Sequence, residues 1–112
     1  LSHIPMYYES IEDAVMTVKD HLVHAHMGNT IIGNTDDEAY GDQHPTFGFP
    51  NSSNGVDEVV TYLKALFKVG YFDKPEPPVL SFEVKPWKDQ DPDIAVANFK
   101  RVLDLAWARL EI

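Results

Sequence analysis

Two short stretches limit what this chain can fold into more than any other part of it. They are His21-Leu22-Val23-His24-Ala25-His26-Met27-Gly28-Asn29 and Val79-Leu80-Ser81-Phe82-Glu83-Val84-Lys85-Pro86-Trp87. Both read as strands, and side chains two apart on a strand share a face. His24 and His26 therefore point one way, and Ser81, Glu83 and Lys85 do the same on the second strand, opposite their apolar neighbours. An imidazole and a carboxylate brought together at neighbouring strand ends form half of a divalent-metal site.

Helix signals alternate with these strands. Ser10 is placed to cap a first helix, with Asp13 three residues on and Ile11, Ala14, Val15 and Val18 along one face. That helix ends at Asp20, and a strand runs from Leu22 to Met27. A second helix covers 56–69, with Val56, Val59, Val60, Leu63, Leu66 and Phe67 as its stripe and Gly70 as its stop. A connector with Pro75, Pro77 and Pro78 leads into a strand over 79–85, expected to be buried on both faces. Asp91 caps a third helix that has Pro92 at its first position. Its inward face is Ile94, Ala95, Asn98, Phe99, Val102, Leu103, Ala106 and Leu110, and Trp107 and Phe99 read as core. With Leu1-Ser2-His3 taken as the end of a preceding strand, strands alternate with helices throughout, which implies an α/β fold on a parallel sheet. Residues 28–54 form a long Gly-, Asn-, Asp-, Ser- and Pro-rich segment without regular periodicity; loops of that length inside compact domains tend to be functional.

Composition narrows the function classes. The chain has 112 residues, 44% of them apolar, so it forms one domain at most and has material for a core. The net charge is −9 and no basic run occurs, which disfavours nucleic acid and anionic membrane surfaces as partners. There is no cysteine, so disulfides and thiolate chemistry are out. No apolar run approaches the roughly 20 residues of a membrane helix, and a cytoplasmic setting is the expectation.

All five histidines lie within the first 44 residues, and His3, His26 and His44 fall at strand ends or in the loop beyond. In parallel α/β folds that carboxyl edge is where ligands bind. His24 and His26 read either as hydrogen-bonded core histidines or as ligands. Glu83, in a strand expected to be buried, is costly there unless paired or bound to a metal; the plain alternative to a metal is a salt bridge to Lys85 or to an Arg from elsewhere. Asp42 and His44 form either an acid/base or substrate-contacting pair or a solvated turn. Trp87 either lines a pocket wall or packs under a loop.

Taken together, His24-Ala25-His26-Met27-Gly28-Asn29 and Ser81-Phe82-Glu83-Val84-Lys85-Pro86 resemble the last two strands of the xylose-isomerase-like TIM barrels, a superfamily of sugar isomerases and epimerases, inosose dehydratases and endonuclease IV. Leu1-Ser2-His3, Ala65-Leu66-Phe67-Lys68-Val69-Gly70-Tyr71 and the Asp91-Pro92 helix start fit the same pattern, so the resemblance spans nearly the whole chain as the C-terminal part of such a barrel, about strands 6–8 with their helices. It implies that residues 1–112 are a partial (β/α)8 domain, incomplete alone, since a full barrel takes about 250 residues. The remaining strands would come from the same parent protein or from another chain, and an oligomer is expected.

The resemblance also implies roles. His26 and Glu83 would bind a divalent metal, with Glu83 also moving the proton, and His3 would contact substrate oxygens. Asp42, His44, Lys85 and Trp87 complete the expected substrate-binding set. Mn²⁺ or Mg²⁺ suits mixed nitrogen and oxygen ligands, with Co²⁺ and Zn²⁺ as alternatives. The expected activity is a metal-dependent sugar isomerase or epimerase working by proton transfer next to a carbonyl. Two departures stand out: Asn29 and Thr30 occupy the region where the family commonly has an Arg, and the 28–54 loop is longer than in plain epimerases. Both bear on the substrate, and the long Tyr-Gly-Asp-x-His-Pro loop fits the first alternative, a lyase or hydrolase acting on a glycoside, including C-glycoside cleavage, on the same scaffold. The second alternative is a non-catalytic scaffold piece that binds a partner chain.

Overall fold

Residues 1–111 are described by a computed structural model. Four helices, α1 (His3–Met6), α2 (Ile11–Val18), α3 (Val56–Lys68) and α4 (Pro92–Ala108), accompany two strands, β1 (His24–Met27) and β2 (Val79–Phe82). The strands pair in parallel, with Ala25 opposite Leu80 and Met27 opposite Phe82. A parallel pair needs a crossover, and here the long loop followed by α3 supplies it.

The helix boundaries follow from capping chemistry. Ser10 Oγ accepts the Asp13 backbone N–H at 3.1 Å and opens α2. Glu58 reaches back to the Gly55 N–H at 3.3 Å at the start of α3. Gly70 ends that helix in the left-handed region at φ 75°, a conformation that suits glycine. The Asp91 carboxylate accepts the Asp93 N–H at 2.9 Å and opens α4.

Alternation places the core on one side of the sheet. Ala25 and Met27 are buried while His24 and His26 are exposed. Met27 meets a cluster that includes Val59, Leu63 and Leu66 of α3, Tyr71, and Val102 and Ala106 of α4. α3 is the central helix, packing against both α2 and α4. Phe82 of β2 stacks on Phe99 of α4 with ring centroids 4.2 Å apart, and the edge of Phe47 meets Phe82 at 6.0 Å.

Several expectations need correcting. Leu1-Ser2-His3 is not a strand end: His3 opens the single-turn α1, and Leu1, buried in the core, donates from its nitrogen to the His26 carbonyl at 2.8 Å. β1 begins at His24 rather than Leu22, because residues 19–21 extend α2 as a 3₁₀ turn. β2 ends at Phe82 rather than Lys85, although the Glu83 N–H still bonds the Met27 carbonyl at 2.9 Å. Nor is β2 buried on both faces: Val79 is exposed and Ser81 half-buried, because no layer covers the histidine face of the sheet among the described residues, and Leu80 and Phe82 are half-buried on the core side. Trp107 is half exposed rather than core, touching Phe67 and Phe72 from the surface. Val18 and Ile94 likewise turn outward.

The 28–54 segment is ordered by buried side-chain amides, which is why it shows no periodicity. Asn29 Oδ1 accepts the N–H groups of Thr30 and Asn54, each at 2.8 Å, and its Nδ2 donates to the Thr46 carbonyl at 2.8 Å. Asn54 Nδ2 donates to the Gly28 carbonyl at 3.0 Å, so the two ends of the loop are tied together. Ile31 bridges to Tyr40 and Gly41 within it. No helix among the described residues is long and apolar enough to cross a membrane.

Candidate metal centre

The exposed face of the sheet carries a continuous run of polar side chains. His24 Nε2 lies 3.1 Å from Ser81 Oγ, and the His24 ring meets His26 edge-on at 4.5 Å. His26 Nδ1 lies 3.0 Å from Glu83 Oε2. His26 and Glu83 thus share one face and touch, the first at the end of β1 and the second one residue past β2. His24 and His26 are exposed, which removes the core-histidine alternative.

The other carboxylate oxygen of Glu83 faces the long loop. Glu83 Oε1 is 2.8 Å from His44 Nε2, and that same nitrogen is 2.6 Å from Asp42 Oδ1. His3 Nε2 approaches Asp42 Oδ1 at 3.4 Å. His3, Asp42, His44 and Glu83 each offer a ligand atom, and these atoms all lie within 4.8 Å of one another. Three separate segments supply them: the single turn of α1, the long loop, and the end of β2.

Chemistry distinguishes this cluster from an ordinary polar surface. A ring nitrogen holds at most one proton, so His44 Nε2 cannot be a full donor to two carboxylate oxygens at once. Two carboxylates this close repel unless a cation lies between them. Cis ligands of an octahedral ion at about 2.1 Å stand about 3.0 Å apart, close to the 2.6 and 2.8 Å that separate His44 Nε2 from Asp42 Oδ1 and Glu83 Oε1. The donor set of two imidazoles and two carboxylates therefore fits a divalent cation of the Mn²⁺, Mg²⁺, Co²⁺ or Zn²⁺ kind. His26, expected as a metal ligand, lies outside the four and contacts the second oxygen of Glu83, the place an outer partner would take if that carboxylate held an ion.

Backbone geometry aims His44 at the cluster. Its φ is +51°, a left-handed value uncommon for a residue with a Cβ. Its side chain is only 13% exposed, against 57% for Asp42 and 42% for Glu83, so it forms the floor of the site. Its Nδ1 is buried and has no hydrogen-bond partner among the described residues. Gly28 makes room beside it: a Cβ there would lie 3.3 Å from that Nδ1 and 2.7 Å from the Glu83 carbonyl oxygen.

The remaining expected residues take other places. Lys85 contributes its backbone, its N–H donating to the His44 carbonyl at 2.7 Å; among the described residues its side chain forms no salt bridge with Glu83. Trp87 packs against Phe49 at 5.7 Å, with Lys88 Nζ 5.7 Å above its ring. Trp87 thus braces the outer loops and is not one of the four clustered groups. Lys88 also pairs with Glu38, a second tie between these loops.

Gly28, Asn29, Asn54 and Asn98 were not candidates on sequence. Asn98 alone left a signal, a polar residue on an otherwise apolar helical stripe. No family model, curated protein or solved structure among those compared matches this chain.

Proposed function

We propose that this chain carries the metal-binding and proton-transfer part of a divalent-metal-dependent sugar isomerase or epimerase. One observation supports this reading above the others: a single imidazole nitrogen, His44 Nε2, faces carboxylate oxygens of Asp42 and Glu83 at 2.6 and 2.8 Å with a second imidazole alongside. Glu83 and Asp42 with His44 and His3 would hold the ion, and His26 would fix the Glu83 carboxylate. An ion held there would supply positive charge to polarise a substrate carbonyl and offset the negative charge that develops beside it. Glu83 is the group to move the proton, because only one of its oxygens faces the cluster while the other is held by His26.

The sheet supports a place in a larger barrel. Parallel strands are normally covered on both faces, and here the histidine face is open. We read the two strands as a segment of a (β/α)8 domain whose other strands would close over the cluster, supplied by the parent protein or by a second chain.

The experiment is a calorimetric titration of the full protein with Mn²⁺, followed by NMR detection of deuterium uptake from D₂O at the carbon next to the carbonyl in a panel of ketoses. One equivalent of Mn²⁺, lost in Glu83→Gln, and deuterium uptake are the expected results. Absence of binding by Mn²⁺, Mg²⁺, Co²⁺ and Zn²⁺ at millimolar concentration would overturn the reading. Metal binding with sugar cleavage and no exchange would move it to the glycoside lyase or hydrolase alternative.

A further inference from the structure

We infer that Asn98, on α4 and outside the cluster, is a positioning residue that holds His44 in its metal-facing conformation. This rests on the metal-centre reading above and extends it to a helix that contributes no ligand. Asn98 Oδ1 accepts the Phe47 N–H at 3.1 Å, and Asn98 Nδ2 donates to the Phe47 carbonyl at 3.2 Å. Both polar groups of one loop residue are thereby satisfied by one side chain.

The four residues from His44 to Phe47 are gripped from three directions. Lys85 holds the His44 carbonyl, Asn29 holds the Thr46 carbonyl, and Asn98 holds Phe47 at both ends of its backbone. A non-glycine residue persists at positive φ only when its surroundings over-determine it. His44 is such a residue, at φ +51°. Its ring is also nearly enclosed, so a small backbone relaxation would carry Nε2 away from Asp42 and Glu83. Of the three grips, that of Asn98 alone comes from a helix, and the next residue of that helix, Phe99, stacks on Phe82, which meets Phe47 edge-on. α4 thus sets the height of the loop that carries Asp42 and His44.

The test compares wild type with Asn98→Leu, which keeps size and removes both bonds, and with Val102→Ala, which trims the buried core face of the same helix and leaves the clamp intact. Mn²⁺ affinity is measured by calorimetry and the His44 ring by ¹⁵N–¹H correlation of the imidazoles. A loss of at least tenfold in affinity with a displaced His44 ring signal in Asn98→Leu, and affinity within twofold of wild type in Val102→Ala, is the expected result. Asn98→Leu binding within twofold of wild type overturns the inference, as does an equal loss in both variants, which would mark general destabilisation. If wild type itself binds no Mn²⁺, the metal reading falls first and the role assigned to Asn98 falls with it.

Discussion

The backbone N–H of Lys85 donates to the carbonyl oxygen of His44 at 2.7 Å, and that bond joins the long loop to the segment following β2. It sets the two halves of the candidate centre, Asp42 and His44 on one side and Glu83 on the other, at fixed spacing. With His3 added from α1, the site is a property of how separate chain segments meet, and changes at the seam should be felt there.

Glu83→Gln should remove metal binding with little effect on the fold. The amide keeps the shape but loses the charge that faces His26 and His44. We expect Mn²⁺ affinity to fall by about 100-fold or more and any proton-exchange activity by about 10²–10⁴-fold, with the far-ultraviolet circular dichroism unchanged. Calorimetry and a D₂O exchange assay check this. Unaltered turnover would take Glu83 out of the mechanism.

Gly28→Ala should destabilise the protein by about 1–3 kcal/mol. The new Cβ would stand 2.7 Å from the Glu83 carbonyl oxygen, a backbone atom that cannot swing aside. The strand ends must part, so metal affinity should fall together with stability. Denaturant unfolding at matched protein concentration reads the first effect and calorimetry the second. Wild-type stability in this variant would show that the close approach is not real.

Asn29→Ala should unfasten the long loop. It removes the partner of the buried Thr30 and Asn54 N–H groups, while the Thr46 carbonyl loses one donor and keeps the Phe49 N–H at 3.1 Å. Unsatisfied buried groups of this kind cost about 1–3 kcal/mol each, partly recovered by water entry, and a net loss of about 3 kcal/mol is expected. Hydrogen exchange should show lost protection at Thr30, Ser53 and Asn54 while α3 stays protected. Uniform loss across the chain would mean the loop is not a separate unit.

Alkaline pH should weaken the fold through Tyr62. Burial, with the neighbouring Tyr71 adding to it, pushes its phenol from 10.0 up to about 12. Between those values the unfolded chain releases the Tyr62 proton and the folded chain keeps it, so stability falls as pH rises. The slope from this residue is about 1.4 kcal/mol per pH unit at most, and it disappears below pH 10. Denaturation of wild type and Tyr62→Phe from pH 9 to 11.5 should show the phenylalanine variant with the flatter decline; parallel curves would remove Tyr62 as the cause.

Mn²⁺ should raise the melting temperature of wild type, and a chelator should reverse the rise. Saturation at about 100 times the dissociation constant corresponds to about 2.7 kcal/mol. Glu83→Gln should show no such shift in differential scanning fluorimetry. An equal shift in that variant would place the ion somewhere other than the cluster.

What could be read from the residues was what depends on near neighbours in the chain. Ser10 and Asp91 cap because a cap is a contact within one turn, and the alternation around His24, His26 and Glu83 gives a face because period two is a local rule. Leu1-Ser2-His3 misled because the sequence of three residues cannot tell a strand end from the start of a helical turn, and α1 takes the latter form. The burial expected for β2 failed because burial depends on what covers a strand, and nothing in its own residues states that. Trp107 failed for the same reason: its spacing fits a core face, yet α3 and the turn at Tyr71–Asp73 meet only one side of it.

By itself, then, the sequence determined the helices α2, α3 and α4, the two strands between them and the polar face of the sheet, since each follows from side-chain chemistry and short-range periodicity; among the groups able to bind a cation it paired His26 with Glu83 and left His3, Asp42 and His44 as substrate contacts. Only the tertiary structure decided which of those groups meet. It brought His3, Asp42 and His44 beside Glu83, and it set His26 behind Glu83 as its support. The physical reason is that the meeting is fixed by the buried amides of Asn29, Asn54 and Asn98 and by the Lys85–His44 bond, contacts between segments distant in the chain that no local pattern encodes.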